Sequence, residues 1–243
     1  IGCTTSGEVA PTGYASGALV AVGFPAADFA ASVRAIAPLG DFTLDMGRET
    51  AARLVEDLAG RGRGWPGEVA ILLSDGMAMR EDALTAAIAP ALPGTTLVGG
   101  SAGDALDFSA ARVLVDGRFR PDAAVLTLLR ARGRVEAFRT DHFRAIPARC
   151  VVTAAAPEER LVIELNAEPA AAEYARMLGL TVAELTPEVF AANPLLVRIG
   201  GEHHVRSIQR AEADGGLRFF SAVDHGMVLA LARPRDIAGH LET

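Results

Sequence analysis

Apolar and polar positions fall into patterns that change about midway along the chain. Val69-Ala70-Ile71-Leu72-Leu73 is apolar without interruption, as expected of a strand covered on both faces. Arg48 to Arg61 sets Ala52, Val55, Leu58 and Ala59 on one helical face and stops at Gly60. Arg80 to Ala91 reads as a second helix, ended by Pro93-Gly94, and Leu97-Val98 as the strand that follows. Strand, helix and strand with short connections predict a parallel βαβ unit. Ahead of it, the apolar run Leu19 to Phe24, closed by Gly23 and Pro25, predicts a strand. Asp28 to Pro38 carries Phe29, Val33 and Ile36 at helical spacing and equally fits an extended edge.

Beyond Ala110 short strands dominate. Ala111 to Val115 and Ala123 to Leu129 predict a hairpin-like pair turning near Asp116-Gly117, and Val135 to Thr140 a further strand. Val151 to Thr153 and Arg160 to Leu165 read as two strands separated by Pro157-Glu158-Glu159. Ala170 to Leu178 is helical and ends at Gly179, and Thr186-Pro187-Glu188 has the cap-then-proline order of a helix start. Strands return at Leu195 to Ile199, Val205 to Arg210, Arg218 to Ser221 and Met227 to Ala232, with a turn at Asp214-Gly215-Gly216. The expected class is α/β: mixed β-sheets flanked by helices, with a parallel βαβ unit first and more antiparallel strands afterwards.

Two short loops interrupt this pattern and echo each other. One is Gly2-Cys3-Thr4-Thr5-Ser6-Gly7-Glu8, the other Gly99-Gly100-Ser101-Ala102-Gly103-Asp104, which follows the strand-like Thr95 to Val98. Small residues at strand ends let a ligand approach the backbone, whose N–H groups can hold an anion. On that basis Gly99, Gly100, Ser101 and Gly103 are candidates for a carboxylate, and Asp104 and Glu8 for an ammonium group. Thr4 and Thr5 are candidates for polar contacts, and Arg206 for a bidentate contact to an anion. Each also has an ordinary structural reading: a tight turn, a local cap or a salt bridge.

Composition narrows the chemistry. The 243 residues are half apolar and 22% charged, enough for one large domain or two small ones. The net charge of −7 gives no basic patch for a nucleic acid, and no apolar run is long enough to span a membrane. All 23 basic residues are arginine. A Walker A loop and a pyridoxal phosphate Schiff base both need a lysine, so both are excluded within this chain. Lysine-free, Ala-, Gly- and Arg-rich usage suggests a GC-rich bacterial genome. Cys3 and Cys150 do not read as a disulfide framework, which points to a reducing, cytoplasmic setting. Cys3 or Ser101 as a nucleophile would make an enzyme, but no partner base can be assigned from spacing. His203 and His204 are adjacent and face opposite ways in a strand, and no histidine has metal-site spacing.

Taken in order, these segments resemble a known family. Ile1 to Glu8, Leu72-Leu73-Ser74-Asp75-Gly76, Leu97 to Asp104 and Val113 to Gly117 look like a FIST N-terminal domain. Glu164-Leu165-Asn166, Ala171 to Gly179 with Tyr174, His204-Val205-Arg206 and Asp224-His225-Gly226-Met227 look like the start of a FIST C-terminal domain. The resemblance implies an N-terminal domain over 1–165 lacking its first segment and a truncated C-terminal domain over 166–243. It implies a cytoplasmic sensory module of bacterial signal transduction that binds amino acids or similar small polar ligands and needs no cofactor. A histidine kinase or a cyclic-dinucleotide enzyme would be its signalling partner. Some relatives bind haem and sense nitric oxide, and in that alternative His142 is the first candidate ligand. A ligand-free scaffold, as in ubiquitin-ligase adaptors, is a further alternative.

Overall fold

The computed structural model of the protein describes residues 1–11, 13–104, 110–138, 140 and 142–235. The chain divides into two compact units, Ile1–Phe138 and Arg139–Thr243. Each buried apolar cluster draws its residues from one unit alone.

The first unit opens with short strands, β1 (Gly2–Cys3), β2 (Glu8–Ala10) and β3 (Gly13–Ala15). Then come β4 (Phe29–Ile36), α1 (Leu44–Asp57), β5 (Gly67–Asp75), α2 (Glu81–Ile88), β6 (Thr96–Ala102), β7 (Val113–Val115), β8 (Arg118–Arg120) and β9 (Ala124–Ala131). The main sheet has the order β4-β9-β5-β6. Its one parallel pair is β5 with β6, in the register Leu72 to Gly99 and Ser74 to Ser101, so the βαβ unit is present. The apolar stripe of α1 and that of α2 cover one face of this sheet: Ala51, Leu54, Leu84 and Ile88 pack with Leu72, Leu126 and Leu128. On the other face β1 and β7 close a smaller core, where Val113, Val115 and Val125 pack with Leu73 and Cys3. Thr43 caps α1, its hydroxyl accepting from the Met46 N–H at 3.3 Å.

The second unit comprises β10 (Phe143–Ala156), β11 (Leu161–Leu165), β12 (Glu168–Pro169), α3 (Ala170–Leu178), α4 (Pro187–Ala192), β13 (Leu195–Ile199), β14 (Glu202–Arg206), β15 (Ile208–Ala211), β16 (Leu217–Phe219) and β17 (Val228–Pro234). The sheet runs β14-β13-β17-β10-β11-β16-β15, with β12 beside β11, and its pairings among the described residues are antiparallel. Tyr174 of α3 and Phe190 of α4 cover its inner face, against Cys150, Val152, Leu195, Leu229 and Leu231.

Several sequence expectations change. Leu19 to Phe24 forms no strand: its apolar side chains are exposed and no neighbouring strand pairs with it. Asp28 to Pro38 resolves to the edge strand β4, because pairing with β9 over eight residues outweighs the helical spacing. The turn at Asp116-Gly117 joins β7 to Arg118–Arg120, while Ala124–Ala131 enters the main sheet instead. Val135 to Phe138 forms no strand, and Arg139 lies outside the described residues. Val205 to Arg210 is split between β14 and β15. The second glycine segment is not a loop after a strand: β6 runs through Gly99, Gly100 and Ser101.

Candidate ligand-binding cleft

The cleft forms where β5, β6 and the start of α2 meet. Ligands in open α/β sheets gather outside the carboxyl ends of parallel strands, and β5 and β6 are the parallel pair here. A cavity of about 330 Å³ runs along β6 toward its carboxyl end, beside the start of α2, lined by Leu72, Ser74, Glu81, Thr85, Leu97, Val98, Gly99, Gly100 and Ser101. Gly99, opposite Leu72 in the register, has φ +156°, and a Cβ on it would overlap the Leu72 carbonyl oxygen. Only glycine lets the strands approach this closely.

The polar groups of the cleft come from three elements. The Ser101 hydroxyl of β6 donates to Glu81 Oε1 at 2.6 Å. Glu81 opens α2, where a carboxylate also complements the helix dipole. The Thr85 hydroxyl donates back to the Glu81 carbonyl at 2.8 Å, so its oxygen keeps only acceptor capacity for a ligand. Ser74, 3% exposed, ends β5. Just beyond it, Asp75 accepts from the Met77 N–H at 2.9 Å and from the Asp122 N–H at 2.7 Å. Asp75 thereby caps the 3₁₀ turn Gly76–Ala78 that precedes α2. The outer edge of β6 pairs with no strand among the described residues, so its backbone groups there are available to a ligand.

The first loop is a neighbour of the second. The Gly103 N–H donates to the Thr4 carbonyl at 3.0 Å, and a Cβ on Gly103 would strike the Ser6 hydroxyl. The first loop's own side chains are used locally. The Thr4 hydroxyl accepts from the Arg112 N–H at 2.9 Å, and the Thr5 hydroxyl bonds to Glu8. That bond and the Ala18 N–H hold the Glu8 carboxyl below its ordinary range. Asp104 accepts from the Ala110 N–H at 2.6 Å.

Gly99, Gly100 and Ser101 thus line the cleft. Cys3, in β1, and Thr4, Thr5, Gly103 and Asp104, in the adjoining loops, do not line it. Arg206 belongs to the second unit and does not line this cleft; its Nε is buried without a hydrogen-bond partner among the described residues. Burial pushes the Cys3 thiol up, which opposes thiolate formation, and no histidine lines the cleft beside Ser101. His142, the haem candidate, lies beside Phe143 with ring centroids 4.1 Å apart and ring planes tilted by 42°, and it does not line this cleft. Among the described residues no group of three or more His, Cys, Asp or Glu could hold a metal ion.

Glu81 and Thr85 are the polar cleft residues that sequence reasoning missed. An acid in the first turn of a helix is so common that Glu81 carried no signal of its own. The twenty-residue separation of Glu81 and Ser101 closes only through the βαβ crossover.

Comparison with known families now bears on the chain as a whole. The model of the FIST N domain matches residues 1–168, and that of the FIST C domain residues 170–243. The chain belongs to the FIST family. FIST domains are sensory domains of signal transduction. No curated protein and no solved structure matches the chain. The FIST N match runs on into the second compact unit and includes β10 and β11. Among the described residues no helix is long and apolar enough to cross a membrane.

Proposed function

We propose that this FIST pair senses an amino acid or a similarly small polar molecule in the cleft beside β6. The observation that carries this reading is the meeting of Glu81 and Ser101 over the glycine-lined edge of a cavity of about 330 Å³. The volume suits a small metabolite. A ligand ammonium group pairs with the Glu81 carboxylate, and its carboxylate takes N–H groups from the open edge of β6.

Because Ser101 already bonds to Glu81, an arriving ligand competes for that carboxylate and changes how α2 is tied to β6. The ligand then favours one α2–β6 arrangement, and the population shift is the signal. A cytoplasmic histidine kinase or cyclic-dinucleotide enzyme reads it.

Thermal shift and titration calorimetry against the twenty amino acids and small carboxylates test this. A ligand at a hundredfold its dissociation constant stabilises the protein by about 2.7 kcal/mol. Glu81→Gln, which removes the charge and keeps the shape, weakens binding by about tenfold or more. Absence of a shift with every compound, or full affinity in Glu81→Gln, overturns the reading.

A further inference from the structure

The outer face of the second unit's sheet carries a groove of about 1220 Å³. Its origin is Pro147. Proline cannot donate to a ladder, and here β10 places Ala145 opposite Ala232 and Arg149 opposite Ala230, four residues against two. The bulge raises Ile146 and Pro147 as one wall. Arg149, Ala230, Leu196 and Val205 stand in register across four strands, and Ala230 and Leu196, 7% and 1% exposed, form a buried apolar base between the two walls. Two residues further along β13, on the same face, stands Arg198.

The charges at this groove are one-sided. Arg149 and Arg198 line it with His203, and no Asp or Glu does. Neither arginine has a carboxylate partner among the described residues, and the Arg198 Nε–H donates to the Gly201 carbonyl at 3.3 Å. A pair of guanidinium groups without acids over an aliphatic floor is unusual in a chain of net charge −7. Two strand spacings and two residues along the strand separate the arginines, roughly 12 Å between Cα atoms, so their long side chains can reach one headgroup.

We propose that this groove binds a small anionic amphiphile. Its aliphatic body lies on the exposed Val228 and Pro147, above the buried Leu196 and Ala230, and its carboxylate is held between Arg149 and Arg198. Burial of the body supplies the affinity, and the guanidinium fork supplies the selection for an acid.

Decanoate, below its micelle concentration, and neutral 1-decanol are the probes, titrated against the whole protein. Saturable decanoate binding is expected, weakened about tenfold or more by the double variant Arg149→Gln/Arg198→Gln, with decanol about tenfold weaker than decanoate on the unaltered protein. Both arginines are exposed, so the double variant keeps the fold, which circular dichroism and the melting temperature check. Arg53→Gln, on the exposed side of α1, controls for the loss of positive charge and leaves decanoate binding unchanged. No saturable decanoate binding, equal affinity for decanol, or full affinity in the double variant overturns the proposal.

Discussion

Single residues hold the two sites in shape by fixing where the backbone runs. At Gly99 a side chain has no room, because the Leu72 carbonyl oxygen occupies the place of a Cβ. Gly99→Ala is expected to destabilise the protein by about 2 kcal/mol, read from urea unfolding, with the loss in midpoint rather than slope. Unchanged stability would mean that β5 and β6 can separate without loss. In the second unit Glu173, 3% exposed, joins three groups. It accepts from Arg176 at 2.6 and 2.7 Å and from the Asn166 amide at 2.7 Å, while Asn166 Oδ1 accepts from the Val151 N–H. The hydrogen bond to Arg176 is the main reason its carboxyl sits below the ordinary range, with Asn166 adding to it against the opposing effect of burial. A depressed carboxyl contributes stability above its unfolded pKa, about 4.3, and loses it as pH falls through the folded value. Wild-type stability therefore drops on acidification below about pH 4.5, and Glu173→Gln removes that part of the drop. Parallel acid titrations of the two proteins would contradict the assignment. The same carboxylate adds to burial in pushing the Cys150 thiol up to about 12.

At the scale of elements, the first unit depends on a staple between chain-distant turns. Asp75 at the end of β5 takes the N–H of Met77 and that of Asp122, the residue that leads into β9. Asp122 in turn accepts from the Gly40 N–H at 3.1 Å. Asp75 is buried, so removing its carboxylate leaves two N–H groups without a partner. Asp75→Ala should cost about 2 to 4 kcal/mol by chemical denaturation. A cost under about 1 kcal/mol would mean that water replaces the carboxylate easily. The element scale also explains the sequence expectation that failed at Leu19 to Phe24. An apolar run becomes a strand only where another strand accepts its hydrogen bonds, and this one has none beside it. Pro147 shows the converse. Pairing of β10 with β11 begins only at Val152, so on one side the proline meets no ladder at all and the long strand survives with a bulge.

The whole molecule holds separate apolar cores in its two compact units, and the two proposed sites are divided between them. Scanning calorimetry of the intact chain should resolve two transitions. An amino acid bound beside β6 raises the transition of the first unit, and decanoate that of the second. One transition whose calorimetric and van't Hoff enthalpies agree would show that the units melt as one. The family boundary at 168–170 and the compact boundary at 138/139 differ by the strands β10 and β11. Those strands contribute Cys150, Val152, Val162 and Leu165 to the core that α3 and α4 cover.

The sequence by itself determined the helical state of α1, α3 and α4, the buried strand β5, the βαβ unit and the family resemblance, but not the inner face of α1, where Ala51, Leu54 and Leu58 are buried while Ala52, Val55 and Ala59 are exposed. It also removed every chemistry that needs a lysine. Those features rest on local periodicity, caps and composition, which neighbouring residues write directly into the chain. It also marked Gly99, Gly100 and Ser101, because glycine beside a strand end is visible without a structure. Tertiary structure decided the rest. It carried β6 through the glycines, set Glu81 against Ser101, turned the side chains of Thr4, Thr5 and Asp104 to local bonds, and placed Arg206 in the other unit. It also lined up Arg149, Ala230 and Leu196 from three strands. Register and crossover connect residues far apart in the chain, and no local pattern encodes which strand a given edge will meet.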